Sequence, residues 1–227
     1  MATPFLGYDK NIRSITMLAP SGVLLRTLEG SPVIGEKLSA GLGAKGVHKG
    51  TENYYRFFAS VQAVIDAAEP LNHASKLLTR KAANGELEPR PFYAAIIAGS
   101  NENSQDKVLP FVIKESPLAG SRTLVNLLGL PTSTDLIADR NSNLATLEDW
   151  DNPSLQAALL YNRGDHASFL LPKQDVAAKA TKEEGRLVTE DDIFLGADVH
   201  FEMQRQVASF IKNNGQKIET VNLEMLQ

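Results

Sequence analysis

Hydrophobic and polar positions along the chain fall into two kinds of pattern. Residues 14–19, 92–98 and 155–161 are short runs rich in apolar and β-branched side chains. Each stops at turn-forming or polar residues: Pro20-Ser21-Gly22, the polar stretch 99–107, and Asn162 to His166. Short apolar runs bounded in this way predict strands, and the unbroken ones predict strands covered on both faces. Between them the spacing changes to three and four. Tyr54, Phe57, Phe58, Val61, Ile65 and Ala68 form one stripe over residues 52–68, which predicts a helix that Pro70 ends.

Further helical pieces are predicted at 24–34, broken by Gly30 and Pro32, at 71–78, and at 124–128, where Gly129 and Pro131 stop it. A last helix is predicted from Asp198, a good N-cap residue, with Met203, Val207, Phe210 and Ile211 as its buried stripe and Gly215 beyond its end. Residues 217–223 predict an edge strand, Gly41 to Gly50 a flexible connection, and Asn84-Gly85 a turn. Buried strands alternating with amphipathic helices predict an α/β fold with a parallel sheet and flanking helices.

Composition narrows the function more than the fold. The chain has 227 residues, 23 basic against 27 acidic side chains, and a net charge of −4. With no basic surplus to neutralise phosphates, nucleic acid is excluded as the expected partner. The absence of cysteine removes disulfides, thiolate nucleophiles and Cys-ligated zinc together. No apolar run approaches the roughly 20 residues that cross a bilayer, so no transmembrane segment is expected, and the first residues carry no signal-peptide pattern.

In open α/β sheets, functional side chains sit on loops at the carboxyl ends of strands. Two such loops carry titratable residues here, Asp106 after the second strand and His166 after the third. An acid followed by a histidine is the order of the last two members of an α/β-hydrolase triad. There the carboxylate fixes the imidazole tautomer and the imidazole takes the nucleophile's proton. Each residue also has an ordinary reading, Asp106 as a turn or cap residue and His166 as a solvated turn histidine.

Several segments, in order, resemble one family. Residues 14–23 and 28–33 resemble the stretch that follows the nucleophile in bacterial extracellular or surface-anchored lipases of the virulence-factor type. Residues 61–74 are similar to that family's long helix. Residues 99–110 resemble its acid loop, 165–171 its histidine loop and 202–210 its closing helix. The resemblance implies that residues 1–227 are the C-terminal portion of one α/β-hydrolase domain; the 60 positions between Asp106 and His166 exceed a simple αβ return and predict an insertion or lid-like segment at 108–152. It implies a carboxylic-ester hydrolase acting on lipid or ester substrates at the cell surface or outside the cell. It assigns Asp106 as triad acid and His166 as triad base, with Asp165 a neighbour, and it implies no cofactor and no metal.

The nucleophile elbow Gly-x-Ser-x-Gly occurs nowhere in the chain. In the family it precedes the segment matched by residues 14–19, so its expected place is upstream of Met1, and the oxyanion-hole segment is missing too. The chain by itself is therefore expected to be inert as an esterase. It is also expected to bind its missing half or to self-associate, because parallel-sheet edges invite pairing. The alternative, from another class, is a non-catalytic α/β module that binds an apolar ligand or a partner protein.

Other motifs carry less. Ser104-x-x-Lys107 and Ser209-x-x-Lys212 lack the companion elements of Ser-Lys enzymes and read as solvated polar residues. Gly41-x-Gly-x-x-Gly46 follows no strand and reads as a loop. Asp139 opens a calcium-like loop, but Leu144 stands where glycine is required and Trp150 where the bidentate Glu belongs. His48, His73 and His200 read as surface or packing histidines. Phe111, Val112, Ile113, Leu118 and residues 124–130 either line an acyl site or pack beneath the sheet.

Overall fold

The computed structural model describes residues 3–133, 145–148, 154–171 and 190–227, with backbone alone at 145–148 and 190–196. Its centre is a parallel sheet of three strands in the order β1 (Ile15–Leu18), β4 (Phe92–Ile97), β6 (Gln156–Tyr161). Two further strands, β2 (Thr79–Lys81) and β3 (Leu87–Pro89), form an antiparallel hairpin around the turn at Asn84-Gly85. The central strand β4 pairs with β1 from Ile15↔Phe92 to Leu18↔Ala95, and with β6 from Phe92↔Gln156 to Ile97↔Tyr161. Flanked on both sides, β4 has no position facing water, and all six of its residues are buried. That is why its sequence is continuously apolar rather than alternating.

The period of two along these strands sorts side chains into two cores. Tyr93, Ala95, Ile97, Ala157, Leu159 and Tyr161 face α7 (Glu190–Lys212) through Val199, Met203 and Phe210. Phe92, Ala94, Ile96, Ala158 and Leu160 face the opposite way, onto Leu124, Val125 and Leu128 of α6 (Ser121–Leu128) and onto Leu77. A buried polar cluster fixes α7 to its core. Gln206 Oε1 accepts from Tyr93 Oη at 2.8 Å and from Tyr161 Oη. Gln206 Nε2 donates to Glu202 Oε1 at 2.9 Å and to Thr220 Oγ1 at 3.3 Å. Burial pushes the Glu202 carboxyl above its usual range, while the bonds from Gln206 and the Val221 amide oppose the shift.

The outer edge of β6 is covered: the Ala158 amide donates to Pro131, and the Gln227 amide donates to Leu160. The outer edge of β1 carries no strand among the described residues. A third core lies apart from the sheet, where α2 (Leu24–Gly30), α3 (Ile34–Gly43) and α4 (Glu52–Ile65) pack Leu25, Tyr54 and Phe58 together. Thr51 caps α4 by accepting from the Tyr54 amide, and Tyr54 Oη donates to Glu29 Oε1 at 2.6 Å. The α2 N-terminus is held by Glu69, whose carboxylate accepts the Leu24 amide.

The three predicted strands and their parallel pairing are present, so the coarse α/β architecture stands. Several details differ. Gly41 and Gly43 belong to α3 rather than to a flexible connection, because Leu38 and Leu42 pack that helix against α4's core. The closing helix starts at Glu190, not Asp198, so His200 lies inside it; Ile211, turned about 100° around the helix from the buried Phe210, is exposed. Residues 71–78 hold only α5 (Pro70–His73) and a 3₁₀ turn at Ala74–Lys76. The strand expected at 217–223 is β7 (Lys217–Thr220); it pairs antiparallel with β5 (Ala145–Glu148) rather than extending the parallel sheet. The Asp139 loop, Leu144 and Trp150 lie outside the described residues, as do residues 134–144 and 149–152 of the 108–152 segment.

The polar cluster generates a stability prediction. Replacing Gln206 by Leu removes the shared acceptor of two buried tyrosine hydroxyls, and a buried donor left unsatisfied costs about 1–3 kcal/mol. We expect the Gln206→Leu variant to lose about 3 kcal/mol in urea unfolding, with part restored when Tyr93→Phe and Tyr161→Phe are added. A single variant as stable as wild type counts against the cluster.

Candidate functional site

The sheet brings two loops together because parallel neighbours end on the same side. Past the end of β4, the amides of Ala98 and Gly99 both donate to the Tyr161 carbonyl, so the loops after β4 and β6 begin bonded to each other. Gly99 then turns at φ 76°, and a Cβ there would lie 2.5 Å from the Gln105 nitrogen. Only glycine lets residues 100–105 fold back across it. The return stroke ends with the Asp106 amide donating to the Ile97 carbonyl at 3.1 Å.

Asp106 is buried, and both carboxylate oxygens are engaged. Oδ1 accepts the amides of Val108 at 2.7 Å and Leu109 at 3.1 Å. Oδ2 lies 2.7 Å from His166 Nδ1. Its partner comes from a second tight turn. Gly164 has φ 116°, and a Cβ there would crowd Ile97, Ser168 and Val199 at 3.0–3.1 Å. Asp165 Oδ1 accepts the Ala167 amide at 2.7 Å, and the Asp165 amide donates to Ser168 Oγ at 2.8 Å. His200 Nδ1 reaches the Ser168 carbonyl at 2.9 Å, tying this turn to α7.

A carboxylate already receiving two amides accepts rather than donates, so Nδ1 of His166 carries the proton toward it. Nε2 is left with its lone pair, and among the described residues no side chain hydrogen-bonds to it. The imidazole is 40% exposed while Asp106 is 1% exposed, so the pair has a buried anchor and an accessible working end. The Asp106 hydrogen bond raises the imidazole pKa above its ordinary value; partial burial opposes this, and the charges of Asp106 and Asp165 add to it. No protein-family model matches this chain, and comparison with curated proteins and with solved structures returns no match. The chemistry of the site is therefore read from its geometry.

The two residues singled out from the sequence thus stand in direct hydrogen-bond contact across 60 positions of chain. Asp165 closes its own turn and makes no bond to the ring. Ser104 is exposed, but Ser209 is not the solvated residue expected: it is buried, donating to the Gln206 carbonyl and accepting the Glu219 amide. Of the other buried hydroxyls, Ser21 bonds Thr27, Ser31 the Lys107 carbonyl and Ser133 the Gln227 carbonyl, whereas Ser121 Oγ, at the start of α6, has no hydrogen-bond partner among the described residues. His48 is exposed, and His73 binds the Ala67 carbonyl at 2.8 Å. Among the described residues no group of three His, Asp or Glu side chains is placed to hold a metal ion, and no helix is long and apolar enough to cross a membrane. Ile113, Leu124, Val125, Leu128 and Leu130 pack as core, whereas Leu118 and Leu127 are exposed. Sequence reasoning missed Gly99, Gly164 and Gln105, whose roles depend on what the turns meet.

A pH prediction follows from the imidazole. A group whose folded pKa is raised contributes stability that is fully present below its unfolded pKa, about 6.5 for histidine, and is lost as pH rises through the folded value. We expect the unfolding midpoint of the chain to fall as pH rises through the window just above 6.5. In Asp106→Asn that slope should vanish; an unchanged slope would show that the pair is not coupled.

Proposed function

We propose that Asp106 and His166 are the acid and the base of a Ser-His-Asp triad in a carboxylic-ester hydrolase acting on lipid or ester substrates, whose nucleophile is not in this chain. The observation that carries this reading is the 2.7 Å contact between a buried, amide-anchored carboxylate and the Nδ1 of an accessible imidazole. The resemblance of the ordered segments to surface-anchored lipases and the loop positions at parallel strand ends add support, and an extracellular or cell-surface setting belongs to the same proposal.

In this reading Nε2 of His166 takes the proton of an attacking serine hydroxyl as its oxygen bonds to the ester carbonyl carbon. The imidazolium so formed is held by the Asp106 carboxylate. It returns the proton to the departing alcohol oxygen as the carbon–oxygen bond breaks. Water, activated by the same imidazole, then cleaves the acyl-enzyme. The site's contribution is the fixed tautomer and the stabilised cation; the nucleophile and the oxyanion donors must come from elsewhere. The outer edge of β1, which pairs with no strand among the described residues, is the place for a further parallel strand, and an unpaired edge favours self-association.

A second reading, a non-catalytic module for an apolar ligand, draws on a different feature. A depression of about 230 Å³ is lined by Leu71, Ala74, Ser75, Leu78, Leu127 and Leu128, and neither Asp106 nor His166 borders it.

The chain alone should show no covalent labelling by a fluorophosphonate probe. The same chain extended by the coding sequence that precedes residue 1 should be labelled on serine, and His166→Ala should abolish both labelling and ester turnover. Wild-type turnover in that variant overturns the assignment. By light scattering the isolated chain should exceed the 24.7 kDa monomer mass; a concentration-independent monomer counts against the open edge.

A further inference from the structure

We propose that Gln105 is a positioning residue for the Asp106–His166 pair: its side-chain amide clamps both backbone groups of Val112 and so holds the turn that aims Asp106 Oδ2 at the imidazole. The inference deepens the triad reading and takes its functional meaning from it.

Gln105 Nε2 donates to the Val112 carbonyl at 2.8 Å, and Gln105 Oε1 accepts the Val112 amide at 2.8 Å. A primary amide facing a peptide group in this way reproduces the paired bonds of a β-bridge, and it closes the loop from 105 to 112 at its base. Inside that closed loop the Asp106 carboxylate accepts the amides of Val108 and Leu109, and those bonds consume Oδ1. Oδ2 is thereby left for Nδ1 of His166.

Further ties frame the same loop. The Asp106 amide donates to Ile97 at the end of β4, and the Lys107 carbonyl accepts Ser31 Oγ at 2.9 Å. The bonds at Asp106 and Lys107 fix the start of the loop; at its return the Pro110 and Phe111 carbonyls accept the Ser121 and Arg122 amides at 3.2 and 3.1 Å, and the Gln105–Val112 pair joins that return to the start. Gln105 and Val112 are only partly buried, so their polar groups can turn to water if the clamp is lost. Loss should therefore loosen the direction of Asp106 while costing little in overall stability. Among the described residues, the charged groups acting on the imidazole are Asp106 from the β4 loop and Asp165 from its own turn.

The test is a heteronuclear NMR titration of His166 in the labelled chain, following the two ring nitrogens and Cε1. In wild type the Nδ1–H tautomer dominates above the pKa. In Gln105→Ala and Gln105→Asn, whose shorter side chain cannot span both Val112 groups, we expect a folded spectrum, a His166 pKa lower than wild type and mixed tautomers. Asp106→Asn should also lower that pKa and marks the limit of full uncoupling. Ser104→Ala, on the same loop but exposed, should superimpose on wild type. If both Gln105 variants superimpose on wild type while Asp106→Asn shifts, the positioning role is overturned and the triad reading survives. If Asp106→Asn also superimposes, the pair is uncoupled in solution and both fall. If neither Gln105 variant folds, Gln105 serves the fold rather than the direction of Asp106, and the proposal is overturned.

Discussion

Strand β4 is hydrogen-bonded along both edges and buried on both faces, and everything that follows depends on that doubly enclosed position. Because its neighbours β1 and β6 run parallel to it, all three strands deliver their carboxyl ends to one side of the molecule. The loops leaving β4 and β6 therefore emerge side by side, already joined through the Tyr161 carbonyl. Antiparallel pairing of these strands would send the same loops to opposite ends of the sheet, and Asp106 and His166 would not meet.

Within that frame the polar groups divide into anchoring and working atoms. One oxygen of Asp106 serves the turn and the other serves the imidazole; one nitrogen of His166 serves the carboxylate and the other stays accessible. A buried carboxylate is costly unless its lone pairs are filled, and two amides plus one ring N–H fill them. The same satisfied geometry raises the basicity of the ring, which couples the stability of the turn to the readiness of Nε2 to take a proton. On the face of the strands covered by α7, Gln206 does comparable work for the core, accepting from two buried tyrosine hydroxyls.

The elements that were legible beforehand are those whose burial leaves a local imprint. The run Phe-Tyr-Ala-Ala-Ile-Ile at 92–97 names a strand enclosed on both faces, and the stripe from Tyr54 to Ile65 names α4. Helix α3 was harder, because Gly41 and Gly43 read as breakers, yet Leu38 and Leu42 hold them in helix against Phe58 and its neighbours. Strand β7 was visible as an extended segment but not its partner, since β5 lies some 70 positions away and nothing in either stretch encodes the other.

The candidate site shows the same division. Residue type and position relative to strand ends picked out Asp106 and His166, because loops at the carboxyl ends of parallel strands are where titratable groups can converge. Local pattern thus determined the class of fold, the three central strands and the acid-then-histidine order. Only the folded arrangement decided that the carboxylate spends one oxygen on its own turn, that Gly99 and Gly164 admit no side chain, and that Gln105 reaches Val112. Periodicity records which face of an element meets water, a property of neighbouring residues; contacts between distant turns arise from how the sheet closes, and no short window of sequence contains them.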